Sequence, residues 1–275
     1  MKKFEGILIC TDLDGTLLRD DKSISKKNLE KIEYFKAEGG FFTFITGRMP
    51  FFVQNIYNTI KPNAPFGCIN GGGIFDHRTM EYLWQEELSK EAVELIRAVD
   101  EAVAGIGIQV NTFDKIYFSR ENDAMKHFRA LTGMPNIVKH YDEVTEPFAK
   151  IVFGDMKEES IMKTKAVLDS HPQTAKFDYI RSEKTLYEIL PKGISKATVL
   201  PKLAEILGVD ERKTVAVGDY NNDIEMLRRA GVGIAVSNAT DETKAVADYI
   251  TVSNNEDAIA KIIEDIEIGK ISFEQ

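Results

Sequence analysis

Short apolar runs and helix-periodic segments alternate through the first ninety residues. Residues 6–10 form a β-rich run stopped by the acid of Thr11-Asp12, the pattern of a buried strand. Ser25 is placed to cap a helix with apolar positions Leu29, Ile32 and Phe35, and Gly39-Gly40 ends it. Residues 41–45 read as a second strand, terminated by Thr46-Gly47-Arg48, and Pro50 suits the first turn of a helix running through Phe52, Val53 and Ile56. Residues 66–69 read as a third strand, closed by Asn70-Gly71-Gly72-Gly73. The alternation resumes after Pro191, with helices at 195–207, 224–229, 242–247 and from Asp257 onward, and strands at 214–217, 232–236 and 249–252. Strand, helix, strand predicts an α/β fold built on a doubly wound parallel sheet.

Between the two halves the texture changes. Strand pairs with short turns occupy 108–112 with 115–119, and 178–181 with 185–190; Asp114 and Ser182-Glu183-Lys184 supply the turn residues. Helical stretches accompany them at 90–103 and 160–168. This predicts an α+β cap domain over residues 85–190, inserted into a discontinuous core of residues 1–84 and 191–275.

Composition narrows the class without naming the chemistry. The chain of 275 residues is 43% hydrophobic and 29% charged, which excludes disordered and fibrous architectures. Cys10 and Cys68 lie in apolar runs without disulfide or metal spacing, so they read as core residues of a reduced, cytoplasmic protein. A net charge of -9 with no basic stripe argues against nucleic acid or an anionic membrane as partner, and the apolar run at 7–10 is too short for a signal or a span. An anionic small molecule is still compatible, because one bound divalent cation inverts the local field.

The candidate chemistry lies at the strand ends, where doubly wound sheets bind ligands. The first strand runs into Asp12-Leu13-Asp14-Gly15-Thr16, the second into Thr46-Gly47, and the strand at 214–217 into Gly218-Asp219-Tyr220-Asn221-Asn222-Asp223; Gly193-Ile194-Ser195-Lys196 opens a helix. A carboxylate can attack phosphorus if a hard cation offsets the charge, and magnesium suits a few carboxylates and water. A second carboxyl can move the proton, while a lysine and a hydroxyl hold the phosphoryl oxygens. A D-x-D-G-T string arises by chance in only on the order of one in a few hundred chains of this length.

These segments, in this order, resemble the four signatures of the haloacid dehalogenase (HAD) superfamily: Asp12 to Leu18, Thr46-Gly47-Arg48, Lys196, and Gly218-Asp219 with Asn222-Asp223. The large insertion between the second and third signatures resembles the Cof-type hydrolases, as do Asn70-Gly71-Gly72 and the stretch at 230–235. The resemblance spans nearly the whole chain. It implies a phosphatase acting on a small phosphorylated metabolite, with Asp12 as nucleophile and Asp14 as general acid and base. It further implies Mg2+ held by the Asp12 carboxylate, the Asp14 carbonyl and the Asp219 carboxylate, with Asp223 supporting a metal-bound water. Thr46, Gly47, Lys196 and Asn222 would bind the phosphoryl group.

Two other activities fit the same signatures. A phosphomutase would share the catalytic half but return the phosphoryl group to substrate. A phospho-acceptor module of the receiver type also gathers aspartates, a hydroxyl and a lysine, although Asp14 and the insertion speak against it. Specificity is expected in the cap, and the hairpin over 178–190, with Arg181, Glu183, Lys184, Tyr187 and Glu188, is expected to face the core. The four histidines, His77, His127, His140 and His171, lack metal-ligand spacing and read as surface or packing residues; the acidic runs at 86–87 and 264–267 read as solvated faces. Nothing in the sequence speaks to oligomeric state.

Overall fold

The computed structural model describes residues 2–132 and 135–273. In chain order, β1 (Leu8–Thr11), α1 (Lys26–Ala37), β2 (Phe41–Phe44), α2 (Gln54–Ile60) and β3 (Phe66–Cys68) follow the alternation of the sequence, and the antiparallel strands β4 (Gly73–Asp76) and β5 (Glu81–Gln85) come next. The middle of the chain holds α3 (Ala92–Ala102), β6 (Gly107–Thr112), β7 (Ile116–Arg120), α4 (Asp123–Thr132), β8 (Phe148–Gly154), α5 (Glu158–Ser170), β9 (Phe177–Glu183) and β10 (Leu186–Pro191). The last stretch holds α6 (Lys196–Leu207), β11 (Thr214–Gly218), α7 (Ile224–Arg229), β12 (Val232–Ala235), α8 (Asp241–Lys244), β13 (Tyr249–Ile250) and α9 (Ala258–Glu267).

The chain divides into two compact units, one made of Met1–Arg48, Val53–Trp84 and Ser195–Gln275, the other of Met49–Phe52 and Gln85–Ile194. The first is built on a parallel sheet in the order β13-β12-β11-β1-β2. Its strands are apolar on both faces, as Leu8, Ile9 and Cys10 show by being fully buried, because helices cover them. The helices pack as α1 with α9 and α6 with α7. Ser25 caps α1 as the sequence predicts, accepting a hydrogen bond from the backbone N–H of Asn28.

The third strand departs from expectation. A single parallel bridge, Ile45 to Gly67, ties β3 to the end of β2, and β3 otherwise begins an antiparallel sheet β3-β4-β5. The reason is local: Ile69, Asn70 and Gly71 all have positive φ (56°, 52° and 98°), which turns the chain back on itself instead of into a crossover helix. Gly71 is required there, since a Cβ would sit 1.9 Å from the carbonyl oxygen of Ser195.

The second unit is an antiparallel sheet in the order β7-β6-β8-β10-β9. Ile108, Val110, Ile151, Phe153, Tyr187 and Ile189 from its strands form one core with Leu95, Ile96 and Val99 of α3 and Ile161 and Leu168 of α5. The central strand, β8, and helix α4 lie in stretches where the hairpin pattern of the sequence gave no element. Tyr187 of the hairpin turns into this apolar core, whereas its neighbour Glu188 takes the opposite face because side chains alternate along a strand.

Candidate active site

Strand order reverses between β1 and β11, with β2 on one side and β12 on the other. Both strands end in an acid. Asp12 is still in the ladder, its N–H donating to the carbonyl of Val217 at 2.8 Å. Asp219 follows Gly218 directly. Asp12, Asp219 and Asp223 each bring a carboxylate oxygen within 4.8 Å of the others. Asp223 belongs to a 3-10 turn, Asn221–Asp223, that precedes α7, and not to the helix itself. Its Oδ2 accepts from the backbone N–H groups of Asp219 and Tyr220 at 3.0 and 3.2 Å, which ties the loop into place.

Lys196 joins the group as the first residue of α6. A reciprocal cap between Ser195 and Thr198 fixes where that helix begins. Its ammonium donates to Asp12 Oδ1 and to Asp223 Oδ1, both at 2.6 Å, and the residue is 1% exposed. Thr16 Oγ1 donates to Asp219 Oδ1 at 2.7 Å. Gly15 makes room for that pair: its φ is +82°, and a Cβ would lie 2.5 Å from Asp219 Oδ2.

The charges do not balance. Burial raises the Asp12 carboxyl well above the ordinary carboxylate range, and Lys196 offsets this only in part, because Asp223 and Asp219 add repulsion. Burial, then the charge of Asp223, pushes Asp219 up to about 7, against the Thr16 hydroxyl and Lys196. Burial alone would lower Lys196, yet Asp12 and Asp223 more than reverse that and keep it charged. Three carboxylates thus face one ammonium. An all-oxygen donor set with excess negative charge is what a hard divalent cation fits.

Asp14 is not in this trio. Its carboxylate receives Arg48 Nε and Nη2 at 2.8 and 2.7 Å, a two-point fork, and Lys22 Nζ at 2.8 Å. Burial would raise its pKa, but these two cations hold it below the ordinary value. Thr46 lies at the β2 exit, 2% exposed, with its hydroxyl accepting from the N–H of Arg48 at 3.2 Å. Asn70 connects two signatures: its N–H donates to the Thr46 carbonyl at 3.0 Å, and its side-chain oxygen accepts from Asn222 Nδ2 at 3.1 Å. A Cβ on Gly47 would lie 2.8 Å from the same oxygen.

Sequence reasoning therefore gave roles to the acids, Lys196, Thr46, Gly47 and Asn222, placed Thr16, Arg48 and Asn70 in the signatures without a settled role, and left out Lys22. The only signal for Thr16 was its place in D-x-D-G-T. Lys22 and Asn70 carried a positive φ, which no sequence pattern displays. Elsewhere, His77 packs against Tyr57 and His140 against Tyr141 with tilted rings, their centroids 4.1 and 4.2 Å apart. Both cysteines are buried, and among the described residues no helix is long and apolar enough to cross a membrane. The acidic stretch 264–267 is not wholly solvated: Asp265 is 5% exposed and paired with Lys261 and Lys270.

Comparison with known proteins accords with this geometry. Residues 9–263 match the family model of the haloacid dehalogenase-like hydrolases. The 5-amino-6-(5-phospho-D-ribitylamino)uracil phosphatase YitU of Bacillus subtilis is 28% identical over 263 residues, covering 94% of this chain and 96% of that protein. The crystal structure of a haloacid dehalogenase-like hydrolase from Bacteroides thetaiotaomicron superposes with a TM-score of 0.83 at 27% identity, over 95% of this chain and 100% of that one. A HAD subclass IIB sugar phosphatase gives a TM-score of 0.82 at 25% identity, over 96% and 100%. The chain belongs to the haloacid dehalogenase-like hydrolases and is an enzyme of their Cof-type phosphatase group.

Proposed function

We propose that this enzyme is a magnesium-dependent phosphatase that hydrolyses a small phosphorylated metabolite, a sugar phosphate or a similar ester, through a phospho-aspartyl intermediate on Asp12. One observation carries the reading: Asp12 and Asp223 converge on the buried ammonium of Lys196, with Asp219 beside them, where strand order reverses. The names of the sugar phosphatase and of the phosphoribitylaminouracil phosphatase among its relatives support a small ester as substrate.

Asp12 attacks phosphorus and the bond to the leaving oxygen breaks, transferring the phosphoryl group to the carboxylate. Asp14 gives the leaving oxygen a proton and then takes one from the water that hydrolyses the acyl phosphate. To do so its carboxyl must exchange the Arg48 and Lys22 contacts for the substrate. Lys196, Thr46, Gly47 and Asn222 hold the phosphoryl oxygens where charge accumulates. Asp12, the Asp14 carbonyl, Asp219 and Asp223 would hold Mg2+, which supplies positive charge against the phosphoryl oxygens and the carboxylate trio.

The test is a phosphatase screen over small phosphate esters, with and without magnesium, run beside Asp12→Asn. Turnover should require the metal and should vanish in the variant. Metal-free turnover, or wild-type rates from Asp12→Asn, would overturn the reading.

A further inference from the structure

Two separate loops deliver the acids of the site: the turn after β1 carries Asp14, and the loop after β11 carries Asp219. A loop holds a fixed distance from another only if something ties their backbones together. The segment leaving β12 is fastened to the Asp219 side. The N–H of Val236 donates to the Gly218 carbonyl at 3.2 Å, and the N–H of Thr240 donates to the Asp219 carbonyl at 3.0 Å. Between these two anchors stands Asn238, which reaches the other loop: its Nδ2 donates to the Gly15 carbonyl at 2.8 Å. The direction of the amide is set, because Asn238 Oδ1 accepts the N–H of Asn254 at 2.9 Å and leaves the Nδ2 donors for Gly15.

Asn254 makes a second tie to the same turn. It is 2% exposed, and its Nδ2 donates to the Leu18 carbonyl at 3.0 Å and to Asp20 Oδ1 at 3.1 Å. Leu18 is bridged to Asp14, and its own N–H donates to the Leu13 carbonyl at 2.8 Å. The buried amide is thus one residue removed from the backbone of Asp14. The Gly15 carbonyl lies in the planar peptide that joins Gly15 to Thr16, so holding it orients Thr16, whose hydroxyl donates to Asp219 Oδ1 at 2.7 Å. Every residue in this chain of contacts belongs to the first compact unit.

We propose that Asn238 and Asn254 are positioning residues for phosphoryl transfer, a cross-tie that sets the spacing between the Asp14 turn and the Asp219 loop. Cation affinity follows that spacing, because magnesium accepts little departure from its preferred geometry. The inference rests on the magnesium-phosphatase reading for its effect on turnover, while its effect on cation binding is measured without substrate.

Asn238→Asp is the sharp test. The shape and the acceptor for Asn254 are kept, and the donor to Gly15 is lost at an exposed residue where folding should survive. The added negative charge alone would tighten cation binding, whereas a broken tie weakens it, so the two causes differ in sign. Calorimetric titration with Mg2+ alone should show Kd raised about five- to tenfold. With p-nitrophenyl phosphate at saturating Mg2+, kcat should fall roughly tenfold while KM stays within about twofold. Asn254→Ala should shift both readouts in the same direction. The control is Asn63→Asp, which breaks the same kind of pair, an amide donating to the Gly40 carbonyl and accepting from the Phe42 N–H. It should melt earlier in urea yet keep Kd and kcat within about twofold of wild type.

Unchanged or tighter Mg2+ binding in Asn238→Asp, or equal losses in Asn63→Asp, overturn the proposal. If no ester is hydrolysed yet Mg2+ affinity falls in Asn238→Asp and not in Asn63→Asp, the phosphatase reading falls and the cross-tie stands. If wild type is a magnesium-dependent phosphatase and Asn238→Asp matches it in Kd and kcat, the reading stands and the cross-tie falls.

Discussion

Among the described residues two lysines are buried, one in each unit, and their surroundings differ in charge balance. Lys196 meets Asp12 and Asp223, with Asp219 beside them, so its site carries an excess of negative charge. Lys150 meets Glu188, and that pair is neutral. A buried excess charge is unstable until something positive arrives, which suits a site that handles a cation and a phosphoryl group. A buried neutral pair is self-contained and can orient polar neighbours without drawing ions. The difference lies less in the lysines than in how many acids each loop or strand delivers to them.

The largest effect should come from breaking the first cluster. Lys196→Met leaves Asp12 and Asp223 buried without their cation. Turnover should drop on the order of a thousandfold or more, and folding stability by about 3–5 kcal/mol. Urea melts with and without magnesium check the second part: added magnesium should recover some of the lost stability. If magnesium leaves the midpoint of the variant unmoved, the acids do not form a cation site.

The second cluster should respond differently. Lys150→Met alone strands the Glu188 carboxylate and should also cost about 3–5 kcal/mol. Lys150→Met combined with Glu188→Leu removes both charges and should return to within about 2 kcal/mol of wild type, with a large coupling energy in the double-mutant cycle. No neutral replacement of the Lys196 cluster should restore turnover in that way. If the Lys150 double variant is as unstable as the single one, the pair is not the self-contained unit described above.

How far the sequence displays these two clusters follows from the same difference. The acids Asp12, Asp14, Asp219 and Asp223 and the base Lys196 stand at element boundaries, where a charged residue interrupts an apolar run and is visible in a linear pattern. Lys150 and Glu188 sit inside strands whose hydrophobic alternation absorbs a single polar position, and only the register of β8 against β10 shows that they meet. The strand β8 carries no hairpin signal because its partners, β6 and β10, are distant in sequence, whereas β6 with β7 and β9 with β10 are local hairpins. The bend at Ile69 to Gly71, which takes β3 out of the parallel sheet, depends on positive φ at two non-glycine residues. Composition does not signal such angles.

A smaller effect tests the loop that aims Asp219. Gly15→Ala forces a side chain into a backbone at φ +82° and against Asp219 Oδ2, 2.5 Å away. The expected cost is about 1–3 kcal/mol of stability, with turnover lost beyond what the altered fold explains, since the Thr16 to Asp219 hydrogen bond would shift. Thermal melts and kinetics at saturating magnesium separate the two; full activity with a lowered melting temperature would mean that Gly15 serves the turn alone.

The smallest effect concerns another buried acid, Asp265 on α9, which is balanced from outside. Burial would raise its carboxyl, but hydrogen bonds and charge from Lys261 and Lys270 more than offset that and hold it below the ordinary range. A depressed pKa in the folded state means that ionised Asp265 adds stability above the unfolded value of about 4, and that this contribution disappears as pH falls through the folded pKa. Asp265→Asn should therefore be less stable than wild type by about 1 kcal/mol near neutral pH, with the gap closing below about pH 4. Urea denaturation of both proteins between neutral and acid pH reads the difference directly. A gap that persists unchanged into acid would assign the residue to packing and remove it from the comparison of charged clusters. A gap that closes would show that an acid paired with lysines reaching in from the surface behaves like the Lys150 pair, balanced and inert, and that the imbalance around Lys196 is particular to the strand ends.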